Sequence, residues 1–185
     1  PVLSVLPIWH SYERSAEYYF FSCGCTQTYT TIKNLKNDLP KVRPVVMATV
    51  PRLWEAIKSG FEDALKKMHP LKQIVLNQAL ANSGAYKLAT RKQKSLMIEN
   101  IDLKQRLLAK SEMVLRWPVH YIASLILWPK VLTQLCGGRL VFPISGGGAI
   151  ANHIDEFFES LGVELLVGYG LTETSPVVSC RRTWR

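Results

Sequence analysis

The strongest constraint on the fold is a strand–helix–strand pattern near the end of the sequence. The segment "GRLVFPISGGGAI" (138–150) indicates a strand that enters a glycine turn, and "VELLVGYG" (163–170) indicates a second strand. Between them, apolar residues recur at i, i+3, i+4 and i+7, the spacing of an amphipathic helix: Ile154, Phe157, Phe158 and Leu161. Strands joined by such a helix run parallel. We therefore predict an α/β fold in which helices cover a mostly parallel sheet.

The first third of the sequence continues this alternation. Apolar and β-branched runs predict strands at 3–8, 26–32 and 44–50. The segment "YERSAEYYFFSCG" predicts a helix that ends at Gly24, and Pro51 suits the first turn of another helix. This second helix has one apolar face, whose members are Leu53, Ile57, Phe61 and Leu65.

The segment 69–135 departs from the alternation. Its charged residues alternate with aliphatic ones at helical spacing, and strand signals disappear. We predict a helical insertion over 69–135 within one domain that spans 1–185.

Basic residues are concentrated in the middle of the chain. The net charge is +9, and residues 33–139 hold 19 Lys and Arg against 7 Asp and Glu. This excess indicates either solvated helix faces or a polyanionic partner. The sequence has no nucleic-acid-binding signature, so we do not expect nucleic acid. A nucleotide, an anionic membrane and an acidic carrier protein are the partners left open.

One stretch could touch a membrane. The thirteen residues between Arg116 and Lys130 carry no charge. A spanning helix needs about 20 residues, so the favoured interpretation is a buried helix. An interfacial helix in peripheral membrane contact and a cover over a lipid-binding tunnel are the alternatives.

Two loops follow predicted strand ends, which is where open α/β sheets bind their ligands. The first loop, "SGGGA" (145–149), contains Gly146, Gly147 and Gly148. Because glycine has no side chain, the backbone N–H groups of this loop are accessible to a flat ligand. A strained strand-to-helix turn is the alternative.

The second loop, "GYGLTETS" (168–175), collects oxygen donors at a strand end. Gly170 frees the backbone beside Tyr169, whose ring can stack on a base. Thr172 offers a hydroxyl to a phosphate oxygen, and Glu173 offers a carboxylate of the kind that Mg²⁺ prefers. A helix N-cap with a glutamate at the positive helix end is the alternative.

These loops and "LPIWHSYERSAEYYFF" (6–21) resemble three motifs of the adenylate-forming, or AMP-binding, acyl-activating enzyme superfamily, in the same order. The Trp-His and "YERSAEY" version, with "VPRLWE" (50–55), is most similar to long-chain acyl-CoA synthetases. Within these it most resembles the long-chain acyl-[acyl-carrier-protein] synthetases of plant chloroplasts and cyanobacteria. The resemblance implies that 1–185 is part of the large N-terminal AMP-binding domain.

The resemblance implies a nucleotide site built from the two loops. Tyr169 and Gly170 would lie against adenine, Thr172 would bond a phosphate, and Glu173 would hold Mg²⁺. The three glycines of the first loop would line the junction between the adenine and acyl sites.

The implied reaction is the activation of a long-chain fatty acid. Its carboxylate attacks the α-phosphate of ATP, and a thiol of CoA or of the phosphopantetheine arm of an acyl-carrier protein then displaces AMP. His10 would border the acyl pocket near the reacting carboxylate. A histidine packed beside Trp9 is the alternative. The implied catalytic residues are therefore His10, Thr172 and Glu173.

The sequence starts inside a strand-like run and stops soon after the second loop. We therefore expect an internal fragment, inactive alone because the superfamily's phosphate-gripping loop and catalytic lysine lie outside it. The alternatives are an aromatic-acid (4-coumarate-like) CoA ligase, a catalytically inactive truncated binding module and a basic membrane-surface protein. The implied location is a chloroplast, or the cytoplasm or membrane surface of a cyanobacterium.

Overall fold

The computed structural model describes residues 1–97 and 99–181. Its centre is a six-stranded sheet with the strand order β2-β1-β3-β4-β5-β6, in which only β6 runs antiparallel to its neighbour. The strands are β1 (Val2–Ser4), β2 (Gln27–Tyr29), β3 (Val46–Thr49), β4 (Phe142–Ser145), β5 (Leu166–Tyr169) and β6 (Ser179–Cys180). The predicted fold class, a mostly parallel sheet covered by helices, is confirmed.

Helices connect the parallel strands. They are α1 (Ser11–Ser22), α2 (Leu35–Val42), α3 (Pro51–Lys66), α4 (Pro70–Gln93), α5 (Leu103–Ile122), a π-helical turn (Ala123–Leu127), α6 (Trp128–Cys136), α7 (Asn152–Ser160) and a 3₁₀ turn (Thr172–Thr174). The predicted strands exist but are shorter than their apolar runs. The sequence analysis missed α2, because Pro40 and the polar residues around it obscure the helical spacing of Leu35 and Leu39, both buried.

Most helices pack on one face of the sheet. The apolar face predicted for α3 is confirmed: Leu53, Phe61 and Leu65 are buried, and Ile57 packs against them. Trp54 meets Phe158 of α7 edge to face, with ring centroids 5.0 Å apart. Successive strand residues point to opposite faces, so Leu3 of β1 packs with the α2 and α3 residues while Ser4 lies on the α1 side.

The chain between β3 and β4 is helical. The antiparallel helices α4 and α5 are joined by polar contacts: the Asn82 side chain donates to the Arg116 carbonyl at 3.1 Å, and Ser83 Oγ lies 2.9 Å from His120 Nδ1. The Trp128 indole also donates to Ser83 Oγ, at 3.2 Å. These contacts tie α4, α5 and α6 into one unit. That 69–135 is an insertion into the domain stays a prediction.

The prediction that the uncharged stretch 117–129 is a buried helix is wrong. Trp117, Ile122 and Leu125 are each more than half exposed, while the small Ala123 faces inward. The reason is local: α5 packs on α4 through small and polar groups, so its large apolar side chains point away. No helix in residues 1–97 and 99–181 is long and apolar enough to cross a membrane.

Candidate functional site

A cavity of about 450 Å³ lies at the carboxyl edge of the sheet. Its walls come from the segments that follow β1, β3, β4 and β5. These four strands are parallel neighbours, so their carboxyl ends meet at one edge. This is the position at which open α/β sheets bind ligands.

Seven of the eight predicted site residues line this cavity: His10, Gly146, Gly147, Tyr169, Gly170, Thr172 and Glu173. The eighth, Gly148, is not among the lining residues. A Cβ built on it would lie 3.7 Å from the Pro51 ring. The chain turns toward α3 at this point, because Gly147 takes a positive φ of 75°. The structure therefore brings together residues separated by most of the chain, while the role of each stays a prediction.

The first loop combines a turn with a close contact. The Gly146 N–H donates to the Thr49 carbonyl at 2.9 Å, which fixes the end of β4 beside β3. A Cβ on Gly146 would lie 3.2 Å from the Tyr12 ring, so this glycine leaves room for an aromatic wall. The alternative of a strand-to-helix turn therefore applies to Gly147, which has the positive φ. At Gly146 the absence of a side chain instead allows the Tyr12 ring to pack close to the backbone.

The second loop folds back on itself as a 3₁₀ turn. Thr174 Oγ1 accepts from the Leu171 N–H at 2.9 Å and contacts the Leu171 carbonyl at 2.8 Å. Thr172 and Glu173 are consequently exposed at the cavity. No α-helix starts at this loop, so the helix N-cap alternative does not apply. The sequence analysis missed the role of Thr174, whose only signal is its polarity within a turn.

His10 caps helix α1. Its Nδ1 accepts from the Tyr12 N–H at 3.2 Å. In the neutral ring Nε2 then carries the proton, so the side chain can present a donor at the cavity. The Trp9 and His10 ring centroids lie 6.4 Å apart, but both residues are exposed, so the alternative of a packed histidine beside Trp9 does not hold.

Two polar side chains of the lining were missed by the sequence analysis. Ser11 Oγ and the Tyr12 hydroxyl line the cavity and are buried. Burial raises the pKa of Tyr12, and the Thr49 backbone, which acts on its hydroxyl as a hydrogen-bond partner, partly offsets this rise. Ser11 Oγ has no hydrogen-bond partner among the described residues. Buried polar atoms are normally paired, so Ser11 Oγ fits a site whose ligand supplies the partner.

The side chains suit a metal-bound nucleotide. Residues 1–97 and 99–181 contain no group of three or more His, Cys, Asp or Glu that could hold a metal alone. A single carboxylate, that of Glu173, fits Mg²⁺ because this ion usually takes one or two carboxylates together with substrate phosphates. Within the described part of the chain, the cavity lining has no Lys or Arg. Neutralisation of phosphate charge there would depend on the metal and backbone N–H groups.

Glu13 is a buried acid beneath this region. It is 2% exposed, on α1 next to Ser4. Burial raises the pKa of its carboxyl to about 7, and the Ser4 hydroxyl partly offsets this rise. Because the folded pKa lies above the unfolded value near 4.5, protonation favours the folded state. The stability that the protonated Glu13 contributes is therefore fully present below pH 4.5, and this contribution is lost as the pH rises through about 7.

Replacing Glu13 with glutamine removes this pH dependence. We expect Glu13→Gln to be more stable than the unchanged protein at pH 8, by about 2 kcal/mol, and nearly equal at pH 5. Thermal denaturation across this pH range measures the difference. Glu55→Gln, at an exposed position on α3, is the control and should show no such trend. A Glu13→Gln effect that is the same at both pH values would contradict the argument.

Comparison with known proteins identifies the family. The model of the AMP-binding enzyme family matches residues 1–185. The chain is 37% identical to a chloroplastic long-chain-fatty-acid--[acyl-carrier-protein] ligase, AEE15, of Arabidopsis thaliana, over 98% of the chain and 26% of that protein. It is 36% identical to the probable acyl-activating enzyme 16, chloroplastic, of the same plant, over 97% of the chain and 26% of that protein.

A third relative is more distant. Long chain acyl-CoA synthetase 1 of Arabidopsis thaliana is 29% identical over 93% of the chain and 23% of that protein. The chain thus spans about a quarter of the length of the curated relatives it matches. Because the family model covers every residue, the chain belongs to the AMP-binding enzyme family.

Proposed function

We propose that the full-length protein is an ATP-dependent acid–thiol ligase that activates a long-chain fatty acid. The observation that carries this proposal is the cavity itself. It gathers His10, the carboxylate of Glu173 and two glycine-bearing loops from three strand ends, which supports a site for an acid beside a metal-bound nucleotide. Catalysis of this kind depends on positioning the reactants and on offsetting phosphate charge.

Each lining group has a proposed role. Glu173 holds Mg²⁺, which when bound offsets charge on the phosphates. Thr172 donates to a phosphate oxygen, and Tyr169, 62% exposed, offers its ring to adenine. Gly147 leaves the backbone open beside the adenine, while the N–H of Gly146 is already bonded to the Thr49 carbonyl.

On the opposite wall, His10 presents its Nε2 proton toward the acyl carboxylate. The Tyr12 hydroxyl and Ser11 Oγ supply further polar contacts to the same ligand. These three groups come from the segment after β1, so they hold the acid while the loops after β4 and β5 hold the nucleotide.

The proposed reaction has two steps, formation of an acyl-adenylate and transfer of the acyl group to a thiol. A carboxylate oxygen of the fatty acid attacks the α-phosphorus, the bond from that phosphorus to the bridging oxygen breaks, and pyrophosphate leaves. A thiol then gives its proton to solvent and attacks the acyl carbon of the adenylate, the bond from that carbon to the phosphate oxygen breaks, and AMP leaves as the thioester forms. The thiol belongs to CoA or to the phosphopantetheine arm of an acyl-carrier protein.

The relatives support a fatty acid over an aromatic acid. One is named a long-chain-fatty-acid--[acyl-carrier-protein] ligase and another a long chain acyl-CoA synthetase. Apolar residues of the lining, including Leu6, Val50 and Val177, suit an alkyl chain. Because two relatives are named chloroplastic, we also propose a chloroplast location.

Substrate choice tests this proposal. With the full-length protein, we expect pyrophosphate release with laurate to exceed that with cinnamate at least about tenfold, a discrimination within reach of an apolar pocket. Product analysis with CoA and with holo acyl-carrier protein identifies the thiol. Faster turnover of cinnamate would favour an aromatic-acid ligase. Absence of any acid-dependent pyrophosphate release would favour a non-catalytic binding module.

A further inference from the structure

The outer surface of α5 and the π-helical turn after it is apolar. Eight large apolar side chains within residues 114–126 are exposed, by 48% to 80% each. We call them the outer apolar face, and it includes Val114, Leu115, Trp117, Ile122, Leu125 and Ile126. Monomeric proteins rarely leave contiguous apolar patches larger than roughly a few hundred Å² uncovered, so this face is expected to be covered, either by a partner or by the rest of the full-length protein.

The orientation of this helix is fixed by its inner side. The Arg116 carbonyl accepts from Asn82, and His120 contacts Ser83 and stacks on Tyr86 with ring centroids 4.3 Å apart. Rotating α5 to bury its apolar side chains would break these polar contacts and expose Ala123, now 1% exposed. The outer apolar face is therefore a built surface and faces away from the protein core.

The shape of the face suits a planar interface. Thirteen helical residues extend about 20 Å, too short to span a bilayer but suited to lie along its surface. Trp117 and Tyr121 stack there with centroids 5.2 Å apart. Aromatic side chains with one polar end favour the boundary between lipid and water.

The helices around the outer apolar face are basic, which favours an anionic partner. Residues 70–136 carry ten Lys and Arg against three Asp and Glu. Lys110 lies four residues before Val114 and seven before Trp117, so it extends from the same side of α5. Next to this face, Arg116 pairs with Glu112 at 2.9 Å, so Lys110 is the residue that supplies an unbalanced positive charge on this part of α5.

We propose that the outer apolar face binds an anionic membrane surface, with its apolar side chains at the level of the headgroups. Anionic lipid fits both features: the acyl chains contact the apolar side chains, and the headgroups attract Lys110 and the basic excess of 70–136. A second copy would bring an equally basic surface against this one. An acidic carrier protein would neutralise the positive charge around this face, but its polar surface would not bury the apolar side chains. The proposal is independent of the ligase activity.

Vesicle flotation of the full-length protein tests this inference. We expect it to float with phosphatidylcholine vesicles that contain phosphatidylglycerol, less with phosphatidylcholine alone, and less as salt is raised. The double variant Leu115→Glu/Ile122→Glu should lower the bound fraction at least about tenfold, because binding scales with inserted apolar area. The control Phe21→Glu/Ile32→Glu changes net charge equally at exposed positions elsewhere and should retain most binding.

Three results would overturn the membrane proposal. They are absence of flotation with anionic vesicles, full flotation of the Leu115→Glu/Ile122→Glu protein, and equal losses in both double variants. Loss of a dimer in light scattering, or of carrier-protein binding, without any change in flotation would identify that other occupant. Circular dichroism of both variants checks that the fold is retained.

Discussion

Replacing Glu173 with glutamine in the full-length protein is expected to lower fatty-acid-dependent pyrophosphate release at least about 100-fold, the size of effect seen when one preorganised electrostatic contact is removed. Glutamine keeps the shape but removes the negative charge that Mg²⁺ requires. Glu173 is the only Asp or Glu in the described cavity lining, so no neighbouring carboxylate can replace it.

The magnesium dependence distinguishes a metal role from a structural one. We expect Glu173→Gln to shift half-saturation by Mg²⁺ to higher concentration while the melting temperature stays close to that of the unchanged protein, because Glu173 is exposed. Glu156→Gln, at an exposed site on α7, carries the same chemical change and should leave both quantities unaltered. Undiminished turnover of Glu173→Gln would remove the basis of the proposed function.

Replacing Gly170 with alanine is expected to cause the largest loss of stability. A Cβ at this position would lie 1.8 Å from the Pro176 carbonyl oxygen and 2.9 Å from Val177 Cα. Both are backbone atoms of the returning loop, so no side chain can move aside. We expect the free energy of unfolding to fall by more than about 3 kcal/mol, above the usual range for overpacking, and the loop bearing Glu173 to be displaced.

Two matched glycine-to-alanine changes serve as controls for thermal denaturation. At Gly168, on the same strand, a Cβ would lie 3.8 Å from its nearest neighbour, an ordinary contact, so the loss should be far smaller. At Gly60, inside α3, nothing lies within 4 Å. There alanine should stabilise by up to about 1 kcal/mol. Equal effects of Gly170→Ala and Gly168→Ala would contradict the close packing of this loop.

Local patterns were sufficient to predict most of the elements. The apolar spacing of α3 and the strand–helix–strand unit around α7 depend only on neighbours along the chain, and the structure confirms both. Where local signals conflicted, the prediction failed. Pro40 concealed α2, and the uncharged stretch after Arg116 was predicted to be buried although it is exposed.

The sequence by itself determined the fold class, the presence of the five parallel strands and the polar groups that follow them. Only the tertiary structure decided that His10 and Glu173, which are more than a hundred residues apart in the sequence, share a cavity. It also decided that the Tyr12 ring packs on Gly146 and that Gly148 lies outside the cavity lining. The physical reason is that secondary structure follows from short-range periodicity. Strand order and helix orientation instead depend on packing between segments far apart in the chain, for which no local pattern carries the information.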